Sequence, residues 1–251
     1  MKTRGWTRAA ATAVVAWVAL VGAGVQAQGS AAAPAPAAVP AGSKFLAPGF
    51  TGLAPSARVL LMPVDVELFS LSAGGVAEPK ADWTAAARTH MKAAVLQRRE
   101  ALRLDAVEIS ETEADDFAEQ VGLHAAVANS IALHHGLGGV WSLPTKDGQL
   151  LWSFGDAMAP LAAKTGARYA LFMWMRDSYA SAERKAVMFG MALLGVGLTG
   201  GVQIGYASLV DLHSGEVVWF NHLARGDGDL REAGPAAESI GALLTQFPAG
   251  R

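Results

Sequence analysis

The chain has 251 residues, 52% of them hydrophobic, with 20 basic and 22 acidic residues and a formal net charge of −2. That balance excludes a general polyanion binder, which needs a basic surface to displace counterions from phosphates. Cysteine is absent, which excludes a disulfide framework, an all-cysteine zinc site and a lipid anchor built on an amino-terminal thiol.

Lys2, Arg4 and Arg8 precede an uncharged run from Ala9 to Ala27, and Val25-Gln26-Ala27 sets small residues at the −3 and −1 positions. This is the pattern of a cleaved export signal over residues 1–27, and it implies work in the periplasm, in solution or at a membrane. An uncleaved anchor is the alternative, since the run is almost long enough to cross a bilayer. Cleavage would leave 224 residues and remove three basic groups, taking the net charge to −5. Residues 28–56 read as an Ala/Pro-rich tether in which Phe45, Leu46 and Phe50 could dock onto a surface. A single domain is expected over 57–251.

Within that domain, Arg58 to Val64 is a short apolar run ended around Pro63 and predicts a buried strand. A loop through Ser70–Gly75 leads to Asp82, read as the cap of a helix carrying Trp83, Ala87, Met91 and Ala94 on one face. Leu104–Ile109 predicts a second strand. Ser110-Glu111-Thr112-Glu113 matches a capping box and opens a helix expected to run to about His135, stopped by Gly136–Gly139. Pro144–Gly148 reads as a turn, and Asp156–Lys164 as a helix closed by Gly166. Tyr169–Met175 is the clearest buried strand. Arg176-Asp177 and Glu183-Arg184-Lys185 read as a solvated loop, followed by an apolar, glycine-interrupted insert over 186–198. Tyr206–Leu212 and Glu216–Phe220 predict a hairpin turning at His213-Ser214-Gly215, and a last helix is expected around Pro235–Phe247. The fold class expected is α/β: a mixed β-sheet flanked by helices, with a late β-hairpin and a carboxyl-terminal helix.

Thr165-Gly166-Ala167-Arg168-Tyr169-Ala170-Leu171 resembles the strand entry of a group of bacterial envelope α/β proteins. The group comprises the curli secretion-channel protein, the TolB amino-terminal domain and the lipoprotein activators of penicillin-binding proteins. Ala207 through Trp219 looks like their hairpin, and Val59–Pro63 sits where they carry an early strand. In that resemblance Asp211 and Gly215 are turn residues and Trp219 packs, so it implies a binding or scaffold role and no active site. The missing cysteine and the insert at 186–198 depart from the group.

Gly195-Val196-Gly197-Leu198-Thr199-Gly200 spells a dinucleotide fingerprint, but that motif needs a strand before it and a helix after it, and a strand is expected after it here. The insert itself is too short to span a bilayer. Burial within the domain is the simplest expectation for it. The functional alternative is a contact surface formed by Val187, Met188, Phe189, Met191, Leu193 and Leu194, with methionines letting it adapt to a partner or a lipid. His124 and His135 lie ~16 Å apart along a helix, too far to share a metal, and His213 and His222 read as a turn and a strand end. No hydrolase signature is present. Asp65 and Glu67 alternate with Val64, Val66 and Leu68 and should share one side of an extended segment. These observations favour an exported envelope protein that binds or assembles with an envelope partner or itself, possessing no cofactor and no nucleic-acid partner. The alternative is a periplasmic hydrolase of cell-wall or small-molecule substrates, with Asp65, Glu67 or His124 in a pocket.

Overall fold

The structure, a computed structural model, describes residues 43–102 and 104–249. The expected export signal and the tether up to residue 42 lie outside the described residues. A mixed seven-stranded sheet with helices on both faces forms the fold, so the class expected from the sequence is the class observed.

The sheet is organised around β5 (Tyr169–Ala180), whose apolar run is buried on both faces. On one edge β5 pairs in parallel with both β1 (Arg58–Leu61) and β2 (Asp65–Leu71). On its other edge it pairs antiparallel with β6 (Gln203–Asp211), which in turn pairs with β7 (Val217–Arg225). Two short strands complete the far side: β3 (Ala77–Pro79) antiparallel to β2, and β4 (Asp105–Glu108) parallel to β1.

β1 and β2 are one strand interrupted by a bulge. Leu61 stands opposite Leu171 and Asp65 opposite Trp174, so Met62, Pro63 and Val64 face only Phe172 and Met173. The extra residue shifts the side-chain alternation by one. Val59 and Leu61 before the bulge and Val64, Val66 and Leu68 after it therefore all face the same core.

That core lies under α1 (Ala81–Ala101) and α6 (Ala233–Leu243), which contribute Met91, Val95, Ile240 and Leu243. The other face is covered by α3 (Ala118–Ile131) and α4 (Ala159–Thr165), through Ala128, Ile131 and Leu161. Asp82 does not cap α1. The cap position falls two residues earlier, at Lys80, and Asp82 stands in the first turn, where it complements the helix dipole. Ser110 and Glu113 form the capping box of α2 (Glu111–Asp115). The helix expected to continue unbroken to His135 is interrupted at Asp116, where Phe117 turns into the core, and α3 ends in a π-turn over Ala132–Leu137.

Three further expectations change. Residues 43–56, read as the end of the tether, pack against the domain: Leu46 and Leu53 are each 5% exposed, and the Ala47 amide donates to the Val218 carbonyl at 3.0 Å. Arg176 and Asp177 are not in a loop, because β5 runs on to Ala180 beside β2. Asp177 is buried and accepts from the Tyr179 hydroxyl (2.5 Å) and the Gln203 side-chain amide (2.7 Å). Burial raises its carboxyl pKa, partly offset by those hydrogen bonds. The apolar insert is not core either. It forms most of α5 (Ala182–Leu193), a helix with no buried residue, capped by the Ser181 hydroxyl.

At the late hairpin, Asp211 Oδ1 accepts from the His213 and Ser214 amides at 2.9 and 3.3 Å. Gly215 has φ +71°, and a Cβ there would lie 2.1 Å from the Gly155 carbonyl oxygen. Glycine is thus required on two counts. Trp219 is fully buried and meets Phe247 edge-on at 5.2 Å.

Each buried leucine of the amino-terminal strap contributes about 1.5–3 kcal/mol. A chain begun at Arg58 should therefore be at least about 2 kcal/mol less stable in urea unfolding than one begun at Ser43. Equal stabilities would show that the strap adds nothing to the fold.

Candidate functional site

Two regions carry unspent chemistry. The first is the excursion between β5 and β6. These strands are hydrogen-bonded neighbours, paired from Tyr169–Asp211 to Asp177–Gln203. Antiparallel neighbours need only a two- to five-residue turn, yet here residues 181–202 intervene. α5 and its return loop are tied together by the Arg184 guanidinium, which donates to the Thr199 carbonyl at 3.1 and 3.0 Å. Met188 rests against Gly200. Phe189, Leu193 and Leu194 are 70%, 74% and 76% exposed, while Val187 is also exposed and Met188 and Met191 are half-buried. Val187 and Leu194, two turns apart, share one helix side with Met191 between them. The Gly195–Gly200 fingerprint follows this helix and runs into β6, the reverse of the order a dinucleotide site requires.

The second region lies on the sheet face beside α3. The bulge turns Asp65 and Glu67 outward, and Arg176 on the neighbouring strand takes both: Asp65 Oδ1 at 2.7 Å and Glu67 Oε2 at 3.5 Å. The guanidinium also sits 4.6 Å over the Trp174 ring, which stacks on Tyr206 at 5.0 Å. The two carboxylates are thus shared ion-pair partners, not a free acid–base pair.

A cleft of about 390 Å³ opens where β1 ends, lined by Met62, Asp65, Glu111, His124, Trp174 and Tyr206, among others. It brings together Asp65 and His124 but not Glu67. His124 projects from α3, is 4% exposed, stacks on Phe172 at 4.1 Å, and bonds through Nε2 to the Ser208 hydroxyl. The serine–histidine pair does not make a nucleophile, because Ser208 has no exposed surface and no carboxylate among the described residues bonds the other ring nitrogen.

His134 Nδ1 contacts the Trp141 carbonyl at 2.7 Å and His135 Nε2 the Lys44 carbonyl at 2.6 Å. Among the described residues no three metal-ligating side chains gather. His222 lies within β7, half-buried, and its pKa is lowered first by burial and then by Lys44 and His135. Sequence reasoning missed Ser208, Trp174 and Tyr206. Their roles come from the cross-strand pairs Phe172–Ser208 and Trp174–Tyr206, which only the β5–β6 register reveals.

Burial lowers the His124 pKa to about 3 from an ordinary 6.5. Between those values the unfolded chain binds a proton that the folded one refuses, so this contribution is complete above pH 6.5 and declines as pH falls toward 3. The decline is about 1.4 kcal/mol per pH unit at its steepest. Urea unfolding at pH 7, 5 and 4 should show a shallower loss for His124→Gln than for the wild type. Parallel losses would mean that His124 charges within the native protein.

No family model and no curated protein matches the chain. Among solved structures it is similar to the PelC dodecamer from Paraburkholderia phytofirmans: 15% identity, 80% of this chain and 93% of that chain covered, TM-score 0.39. Lipoprotein GNA1162 from Neisseria meningitidis is 14% identical over 76% of this chain and 96% of its own, with a TM-score of 0.32. The LpoB C-terminal domain from Salmonella enterica is 14% identical over 71% and 87%, with a TM-score of 0.25. Likeness at these scores carries neither a site nor an activity across.

Proposed function

We propose that this is an exported cell-envelope protein that acts by binding or assembly, with α5 and its return loop as the contact surface. The observation that carries the reading is the excursion itself: 181–202 replaces a tight turn between paired strands and holds large apolar side chains in solvent. Each such side chain forgoes about 1.5–3 kcal/mol of burial, and long excursions of this kind are commonly functional. The export pattern in residues 1–27 supports an envelope location, and no helix among the described residues is long and apolar enough to cross a membrane. The partner on this reading is an envelope protein or a second copy of the chain.

The test is photo-crosslinking in the native host from a benzoylphenylalanine placed at Val187. Crosslinks to a protein, identical or different, are expected. They should vanish when Phe189→Ser, Leu193→Ser and Leu194→Ser are combined, with unfolding free energy changed by no more than about 0.5 kcal/mol per substitution. Crosslinks to lipid alone, or none, would overturn the reading.

A further inference from the structure

The cleft beside α3 is built around a buried polar group with one valence spare. His124 is nearly sealed, its Nε2 is committed to Ser208, and Nδ1 makes no hydrogen bond among the described residues. Among the described residues, only the indole nitrogens of Trp152 and Trp219 are buried side-chain polar atoms lacking a partner. His124 Nδ1 is not among them, and the space that His124 lines is the cleft.

The direction of the Ser208 contact fixes what Nδ1 offers. Ser208 is fully buried and has no other hydrogen-bond partner among the described residues. If Nε2 carried the proton, the serine hydroxyl hydrogen would be stranded without an acceptor, at a cost of about 1–3 kcal/mol. With the hydroxyl donating to Nε2, the proton of the neutral ring sits on Nδ1. The cleft then holds a buried, fixed N–H donor beside Met62 and Phe172, while the other side-chain N–H donors on its lining are the Trp174 indole and the Arg88 guanidinium, which is paired with Glu111.

The mouth adds selection by charge. Asp65, Glu111 and Asp115 line it. Asp65 and Glu111 are paired with Arg176 and Arg88, while Asp115 has no cationic partner among the described residues. An anion meets these carboxylates on entry, and a cation that passes them meets a donor N–H with nothing to accept from it. A volume of about 390 Å³ falls within the ~300–1,000 Å³ usual for small-molecule sites, as do largely apolar walls with few polar groups.

We propose that this cleft binds a small, uncharged, mainly apolar molecule that presents one carbonyl or amide oxygen to His124 Nδ1–H. No residue of α5 lines it, so the site stands independently of the contact surface assigned to that helix.

The probes are benzamide, which carries the acceptor, and toluene, which lacks it, each titrated into the nitrogen-15-labelled folded protein and followed by NMR. Benzamide is expected to perturb the His124 ring and the Trp174 indole signals and to bind at least roughly tenfold tighter than toluene. His124→Phe should erase that preference. Gly122→Leu is the second variant: Gly122 lines the cleft on α3, and a Cβ there meets nothing within 4 Å. It should fold and exclude both probes. Benzamide binding no better than toluene, a ring protonated at Nε2, or undiminished binding to Gly122→Leu would each overturn the proposal.

Discussion

The single extra residue between β1 and β2 sets the arrangement of everything on that side of the sheet. Without it, strict alternation after Leu61 would send Pro63, Asp65 and Glu67 under α1 and expose Val64, Val66 and Leu68. Two carboxylates facing Met91 and Val95 would be untenable without partners. With it, the apolar residues reach the α1–α6 core and the acids reach Arg176. Proline suits the position, because a bulge can leave an amide out of the ladder at no cost. The cleft lies beside the same offset, with Met62, Pro63 and Val64 all on its lining.

Coverage of the sheet is uneven along β5. Where β5 runs from Tyr169 to Met173, helices lie on both faces and the side chains are buried almost without exception. Further along, Asp177, Tyr179 and Gln203 replace hydrocarbon with hydrogen bonds. Gln203 accepts from Arg225 and Ser239 at 2.9 Å each, tying β6 and β7 to α6. On the opposite face of that half stand Trp174, Arg176 and Ile204, with only partial cover. Polar networks of this kind hold strand register without a second hydrophobic layer, leaving one face of the sheet available.

What the sequence disclosed follows the range of each interaction. The Ser110–Glu113 capping box, the Gly166 helix end and the Gly215 turn are local, each settled within a few residues, and the chain reads correctly there. β5 was legible because its burial on both faces needs no phase. Asp177 was misplaced because its partner Gln203 lies 26 residues away across a strand pair. His124 looked like one more residue on an amphipathic helix, since Ser208 is 84 residues distant. The strap around Leu46 hid behind the Ala/Pro composition upstream. α5 misled for a different reason. Apolar residues normally predict core, and nothing in a thirteen-residue window tells that both hydrophobic cores are already filled by other helices.

That last point also bears on how the chain tolerates an exposed apolar helix. The β5–β6 register is specified by nine residue pairs along the strands, with Gly205 allowing close approach to the Trp174 carbonyl and Met175. The strands therefore do not depend on their connection for alignment, and the connection is free of folding duty. With no cysteine to staple it, stability must rest on the two hydrophobic cores, from which α5 is absent. An element outside both cores that keeps phenylalanine and leucine in water lowers solubility without adding to either core. The contact role proposed for α5 rests on that imbalance.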